Sequence, residues 1–237
     1  NRMSARENGL VIESTNRDNT GTFTIAENQF DIAKAHAILA RAHAGTLRIL
    51  RNSISARERT HAIHIDESRF DLEIRHNAFT RVGGVPIVVS ARQHEGPAHI
   101  RVDHNTMRRL ETEAIVVKTP RETVGVLSVD SNTVVTRPPA LTLVLDCAGM
   151  NARVTENHLE CVEGELDDDR DFAIIDARSL VFCNNSLHGA GRERLDEHTW
   201  DHRVVVKQQR ATVWVGNIFQ RVGITEPWPA PTNHSMP

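Results

Sequence analysis

Four charged residues, Lys118, Asp146, Asp176 and Lys207, are the set in this sequence best suited to chemistry. They lie 28, 30 and 31 positions apart, so they meet only if the chain returns to one place about once every 30 residues. If it does, the two carboxylates fall on neighbouring strands roughly 4.8 Å apart. Carboxyls that close perturb one another, and one is driven to hold its proton unless a cation offsets it. A protonated carboxyl beside an ionised one is the pair used in glycoside hydrolysis, with a separation of about 5 Å in the retaining case. A carboxylate beside lysine also suits removal of the proton α to a uronate carboxyl. Two of the chain's three lysines belong to this set. The competing reading, which carries more weight from sequence alone, is a ladder of alternating ions on adjacent strands that keeps a sheet soluble.

An internal repeat is what would bring such residues together. The phrase IRVDHNTM at residues 100–107 recurs as LRILRNSI, LEIRHNAF and LVFCNNSL. An asparagine closes each copy, at Asn28, Asn52, Asn77, Asn105, Asn132, Asn157, Asn185 and Asn217. Successive intervals are 24, 25, 28, 27, 25, 28 and 32 residues, a period that marks a solenoid. Apolar residues sit five and three positions before the asparagine, as in Leu72 and Ile74 or Ile100 and Val102. Another follows two positions after it, as in Phe79 and Met107. Spacing by two places side chains on one face of a strand. Asparagine between two strands suits a tight bend, because it tolerates left-handed backbone angles. The last copy is out of step: Val213 and Val215 fall four and two before Asn217, which predicts a shortened or bulged turn.

A further strand lies between consecutive asparagines, in segments such as AIHID, PIVVS and AIVVK. Aligned on their ends, these segments yield two inward columns, Leu10 to Val204 and Ile12 to Val206, with all sixteen members apolar. Three short strands per coil, stacked in register, make a parallel β-helix of about eight coils, and crossover chirality favours the right-handed form. The reading is therefore one all-β solenoid domain over residues 1–222, followed by a proline-rich tail over 223–237 with Trp228 placed to cap the last coil. The few residues before the first coil are read either as an irregular cap or as lying under upstream sequence.

The recurrent apolar-x-apolar-x-x-Asn-x-apolar phrase resembles that of the pectate-lyase-like right-handed parallel β-helix family over roughly residues 9–222. The resemblance implies a fold and leaves the activity open. Relatives of this kind include lyases, epimerases and hydrolases of acidic polysaccharides as well as non-catalytic surface and spike modules. It further implies that ligands meet the outer face of the first sheet, and favours an extracellular, cell-surface or particle-associated location.

Two outward columns cover that face. One holds the charged set, preceded by Glu13, Arg41, Asp66 and Ser90. The other reads Val11, Leu39, His64, Val88, Val116, Val144, Ile174 and Val205, an aliphatic stripe that points to contact with a protein partner, a second copy (a trimer being the expected assembly) or the chain's own tail. With no tyrosine and three tryptophans, the chain is poor in aromatic platforms for sugars. The main reading is accordingly a non-catalytic binding or assembly module, and the alternative is an enzyme acting on an acidic polysaccharide.

The remaining features weigh less. Arginine outnumbers lysine 25 to 3, yet basic and acidic residues alternate, so nucleic-acid binding has no support in the sequence. No apolar run is long enough to span a membrane as a helix. Cys147, Cys161 and Cys183 have neither disulfide-framework nor zinc-site spacing, and Cys183 reads as a small core filler. Residues 160–172 include Asp167, Asp168 and Asp169, whose carboxylates could take calcium but read first as a solvated turn. Residues 188–202 carry Trp200, a candidate contact. His76 and His104 precede asparagines on adjacent coils and are placed to stack as turn histidines, with no metal-binding spacing.

Overall fold

The computed structural model describes residues 1–5, 8–13, 21–41, 44–58, 60–66, 69–90, 98–137, 140–162, 171–190, 202–207 and 211–225. Among them every regular element is a strand, and every strand pair is parallel. The chain is a parallel β-solenoid. Its first sheet stacks Leu10–Glu13, Ile38–Arg41, Ile63–Asp66, Ile87–Ser90, Ile115–Lys118, the leading halves of Leu143–Thr155 and Asp171–Cys183, Arg203–Lys207 and Gly223–Thr225. The first sheet thus runs on past residue 222. The second sheet carries the strands that lead into the asparagines, from Thr22–Ala26 to Ala211–Val215. The third carries those that follow them, from Arg2–Ala5 to Ile218–Gln220.

Register follows the alternation of side chains. Leu10, Ile38, Ile63, Ile87, Ile115, Leu143, Ala173 and Val204 pair in that order, so each stacks on the same type of neighbour. A slip of one residue would turn this apolar set into solvent. The interior is apolar, with Ile38, Ile63, Ile87, Ile115 and Leu143 fully buried under the first sheet and Phe30, Phe79, Phe172 and Phe182 among its largest buried side chains, so it is not wholly aliphatic. Leu143–Thr155 and Asp171–Cys183 pass from first to second sheet as single strands, with a register shift between Cys147 and Asn151 in place of a turn.

The asparagines form one continuous ladder. At each of the seven steps the side-chain carbonyl accepts the backbone N–H of the preceding asparagine at 2.9–3.0 Å and its Nδ2 at 3.0–3.2 Å. Each Nδ2 also donates to the carbonyl of the inward residue three places before that preceding asparagine, from Ile25 to Phe182, at 2.7–2.9 Å. Every bend therefore satisfies polar groups that would otherwise be orphaned beside the core.

Several expectations need correcting. The left-handed residue of the bend is the one before the asparagine: Glu27, Arg51, His76, His104, Ser131, Glu156 and Asn184 have φ between 52° and 59°, and Gly216 has 65°. The asparagine is selected for its amide, which reaches along the stack. Regular turns number about six, fewer than the eight expected. Only Asn52, Asn77, Asn105, Asn132, Asn157 and Asn185 are fully covered, because Asn28 and Asn217 belong to end coils that have less stacked against them. The last copy keeps its register, with Val181 paired to Val213 and Phe182 to Trp214. Trp214 takes the inward place 4.6 Å from Phe182, and Val213 and Val215 face out at 46% and 42% exposure. The aromatic ring buries more surface than either valine, and that decides which residue turns in. At the other end residues 2–5 are a strand rather than an irregular cap: Met3 pairs with Phe30, and Asn1 donates to the Asn28 carbonyl at 3.2 Å as a further rung. Cys183 is half-buried in an outward column with Asp103, Asp130 and Thr155, whereas Cys147 and Cys161 lie in the core.

Replacing Asn105 by alanine strips partners from Asn77, Ile74 and Asn132 at once, and buried orphans cost about 1–3 kcal/mol each. Urea unfolding of Asn105→Ala is expected to show a loss of about 3–5 kcal/mol; a loss below about 1 kcal/mol would mean that the ladder does not hold the stack.

Candidate functional site

The register of the first sheet sets Lys118 beside Asp146, Asp146 beside Asp176, and Asp176 beside Lys207. All four line one groove of about 730 Å³. Arg121, from the turn that follows Lys118, and Thr225, from the last strand, complete its polar rim, and Val144 and Ile174 form its floor. Lys118, Asp146 and Lys207 are exposed and Asp176 is half-buried. Arg121 was not apparent in the sequence because it stands outside the strand columns, three residues past Lys118 in a turn opened by Pro120.

Charge in the groove is unevenly balanced. Burial, and then the neighbouring Asp146 carboxylate, push Asp176 above the usual carboxylate range, and Arg121 and Lys207 pull the other way. The Oδ1 of Asp176 is buried and has no hydrogen-bond partner among the described residues. Among those residues no ion pair closes between any two of the five charged groups of the groove. Farther along the same column Arg41 and Glu13 do close, to 3.4 Å.

The aliphatic stripe divides in two. Leu39, Val88 and Val116 are buried within the chain itself, and Val88 and Val116 form a small apolar cluster with Val85 and Val144. Val144, Ile174 and Val205 remain half-covered. Trp200, Trp228, Asp167, Asp168 and Asp169 lie outside the described residues.

Two further clusters arise only through stacking. His36 and His61 occupy the same turn position on adjacent coils, with rings stacked at 5.7 Å. His64 meets them edge-on at 5.0 and 5.3 Å. Among the described residues no three donors gather around a metal position. Burial, followed by the charges of His36 and His61, lowers His64 to about 4, with Asp66 opposing and Arg41 assisting. His76 and His104 lie 4.7 Å apart, tilted by 35°. On the third sheet Arg81, Arg108, Arg109 and Arg137 share a groove of about 790 Å³, a basic concentration that the alternating charges of the linear sequence do not reveal. The buried carboxylate Asp103 is met by Arg75 at 2.7 Å and Arg101 at 2.8 Å, which accounts for it structurally. Among the described residues no helix is long and apolar enough to cross a membrane.

No protein-family model matches this chain, and no curated protein or solved structure matches it either.

His64 carries a pH dependence of known sign. Its folded-state value lies below 6.5, so the stability that it contributes as a neutral ring is complete above pH 6.5 and is lost as pH falls toward about 4. Thermal melts of His64→Val, which matches its neighbours Val88 and Val116, are expected to fall less steeply between pH 6.5 and 4 than those of the parent; parallel profiles would remove His64 as the cause.

Proposed function

We propose that this chain is a non-catalytic, pectate-lyase-like β-helix module that binds a stretch of acidic polysaccharide in the first-sheet groove. The observation that carries the reading is the open charge row. Among the described residues Lys118, Asp146, Asp176 and Lys207 stand side by side without pairing, although the same column closes an ordinary surface pair at Arg41 and Glu13. Charges held apart on adjacent strands remain available to a ligand. Lys118, Arg121 and Lys207 offer donors to uronate carboxylates, and the half-buried aliphatic floor offers a dry surface to the C–H faces of sugar rings. The half-covered Val144, Ile174 and Val205 are also where a protein partner or a further copy, in a trimer for example, would seat, and such contact would compete with glycan. Display on a cell surface or particle suits a module of this kind.

The Asp146–Asp176 pair supports a second reading, catalysis on the same polymer. Asp176, whose carboxyl holds its proton more readily than usual, would give it to the glycosidic oxygen as the bond to the anomeric carbon breaks. Asp146 would attack that carbon, and water would release the sugar in a second step. In an eliminative variant a carboxylate would instead remove the proton α to the uronate carboxyl, with Lys118 or Lys207 stabilising the charge that develops, and the glycosidic oxygen on the β carbon would leave as the double bond forms, taking a proton from water.

Titration calorimetry with polygalacturonate and alginate oligomers, at low and moderate salt, tests the binding. The double variant Lys118→Gln/Lys207→Gln is expected to weaken the interaction about tenfold or more, equivalent to about 1.4 kcal/mol. Unchanged affinity, or no binding by the parent, rejects the module reading. Reducing-end and unsaturated-uronate assays on the same polymers separate the two readings: turnover abolished by Asp146→Asn and by Asp176→Asn establishes the enzyme, and its absence leaves the binder.

A further inference from the structure

We propose that the third sheet carries a second, independent ligand site, for a sulfated polysaccharide, in the groove lined by Arg81, Arg108, Arg109 and Arg137. Two kinds of observation support it, one from backbone conformation and one from charge.

In the coils of Asn28, Asn52, Asn132 and Asn157 the residue four places after the asparagine turns inward: Ile32, Ala56, Thr136 and Cys161. In the coils of Asn77 and Asn105 the inward residue is instead the fifth, Val82 or Leu110, and the pairing register shifts at that point. The extra residue of each bulge is an arginine, Arg81 or Arg109, held at φ 54° and 61°. Arg221, four places after Asn217, repeats the arrangement at φ 57°. A left-handed angle costs an ordinary side chain about 1–2 kcal/mol that glycine would not incur. Strain of this kind, repeated with one residue type, is a mark of function. Bulges also redirect a side chain away from the regular pleat. Here two of them, one coil apart, send guanidinium groups out over the third sheet.

The charge is equally particular. Among the described residues none of Arg81, Arg108, Arg109 and Arg137 closes an ion pair. Among the described residues the one acid lining the groove, Glu160, is 3.5 Å from His158. On a neighbouring coil of the same sheet, by contrast, Arg57 is held by both carboxylate oxygens of Asp31 at 3.1 Å. Four uncompensated guanidiniums from three successive coils demand dense negative charge with several acceptor oxygens per group, and a sulfate ester supplies this better than a flat carboxylate. Thr106 and Thr133, on adjacent strands of the groove, add hydroxyls suited to sugar. The one outward aromatic ring among the described lining residues, His158, is already engaged, 5.3 Å from the His188 ring and 3.5 Å from Glu160, so the groove offers no row of free rings on which successive bases would stack, which disfavours single-stranded nucleic acid.

The test measures binding of dextran sulfate, polygalacturonate and single-stranded oligo(dT) to the whole chain over a range of salt. Arg81→Gly/Arg109→Gly removes two charges where glycine suits the backbone, so its melting temperature is expected to equal or exceed that of the parent. Its affinity for dextran sulfate is expected to fall about tenfold or more, with a shallower salt dependence. Arg108→Gln/Arg137→Gln, at positions without left-handed backbone angles, repeats the test without touching Arg81 or Arg109. Arg57→Gln and Lys118→Gln/Lys207→Gln are expected to leave dextran sulfate binding unchanged, the latter keeping this site distinct from the first-sheet groove. The proposal is overturned if the parent does not bind dextran sulfate, if both arginine pairs can be replaced without loss, if Arg57→Gln or the lysine pair weakens binding as much, or if polygalacturonate or oligo(dT) binds as tightly at the same arginines.

Discussion

The hydrogen-bonded file of asparagine amides is the constraint from which the geometry of this molecule follows. Each side chain closes its own bend and accepts from the bend before it, so no coil can shift sideways or along the stack without unmaking several buried bonds. Such bonds matter most where water cannot replace them. Asn52 to Asn185 lie in such surroundings, at 1–2% exposure. Because one point of each turn is pinned, the remainder of the turn can vary between 24 and 32 residues while the inward columns stay aligned. Freedom in the loops and rigidity in the sheets share this origin.

Alignment gives the outer faces their chemistry. A parallel stack converts positions about 28 residues apart in the chain into neighbours one strand apart. Asp146 and Asp176 acquire their mutual repulsion in this way, and His61 and His64 their lowered basicity. The same stacking builds two grooves of opposed character on different sheets: one mixed in charge over an aliphatic floor, the other dominated by arginine. A flat charge ladder would have left Asp176 in ordinary surroundings. Its half-buried position beside Asp146, with one oxygen unbonded among the described residues, sets it apart from the paired acids Glu13 and Asp31.

Much of this was legible in the sequence, for a physical reason. The first sheet alternates with period two and its inward residues are all apolar, so its columns, including the row from Lys118 to Lys207, emerge from alignment alone. The asparagine bends were equally visible, but the division of labour inside them was not. Left-handed angles at residues as different as Glu27, Arg51 and Ser131 leave no compositional trace, because the ladder, not local preference, imposes them. Trp214 misled because valines flank it and only packing on Phe182 decides which residue turns in. The arginine groove was hidden for a subtler reason. Its signal is an apolar residue displaced by one place, Val82 and Leu110 against Ile32 and Ala56, and this becomes meaningful only once the bulge is seen. Arg121 had no columnar neighbour to announce it.

The ladder also has a direction. From Asn1 to Asn217 each amide-to-amide hydrogen bond runs the same way along the axis, every Nδ2 donating to the carbonyl of the next asparagine and every carbonyl accepting from the one before, so these bonds add rather than cancel. The stack therefore has a head and a tail that differ in chemistry, one presenting an acceptor and the other a donor. A coil can join such a column in one sense only, and an inverted neighbour would set like against like.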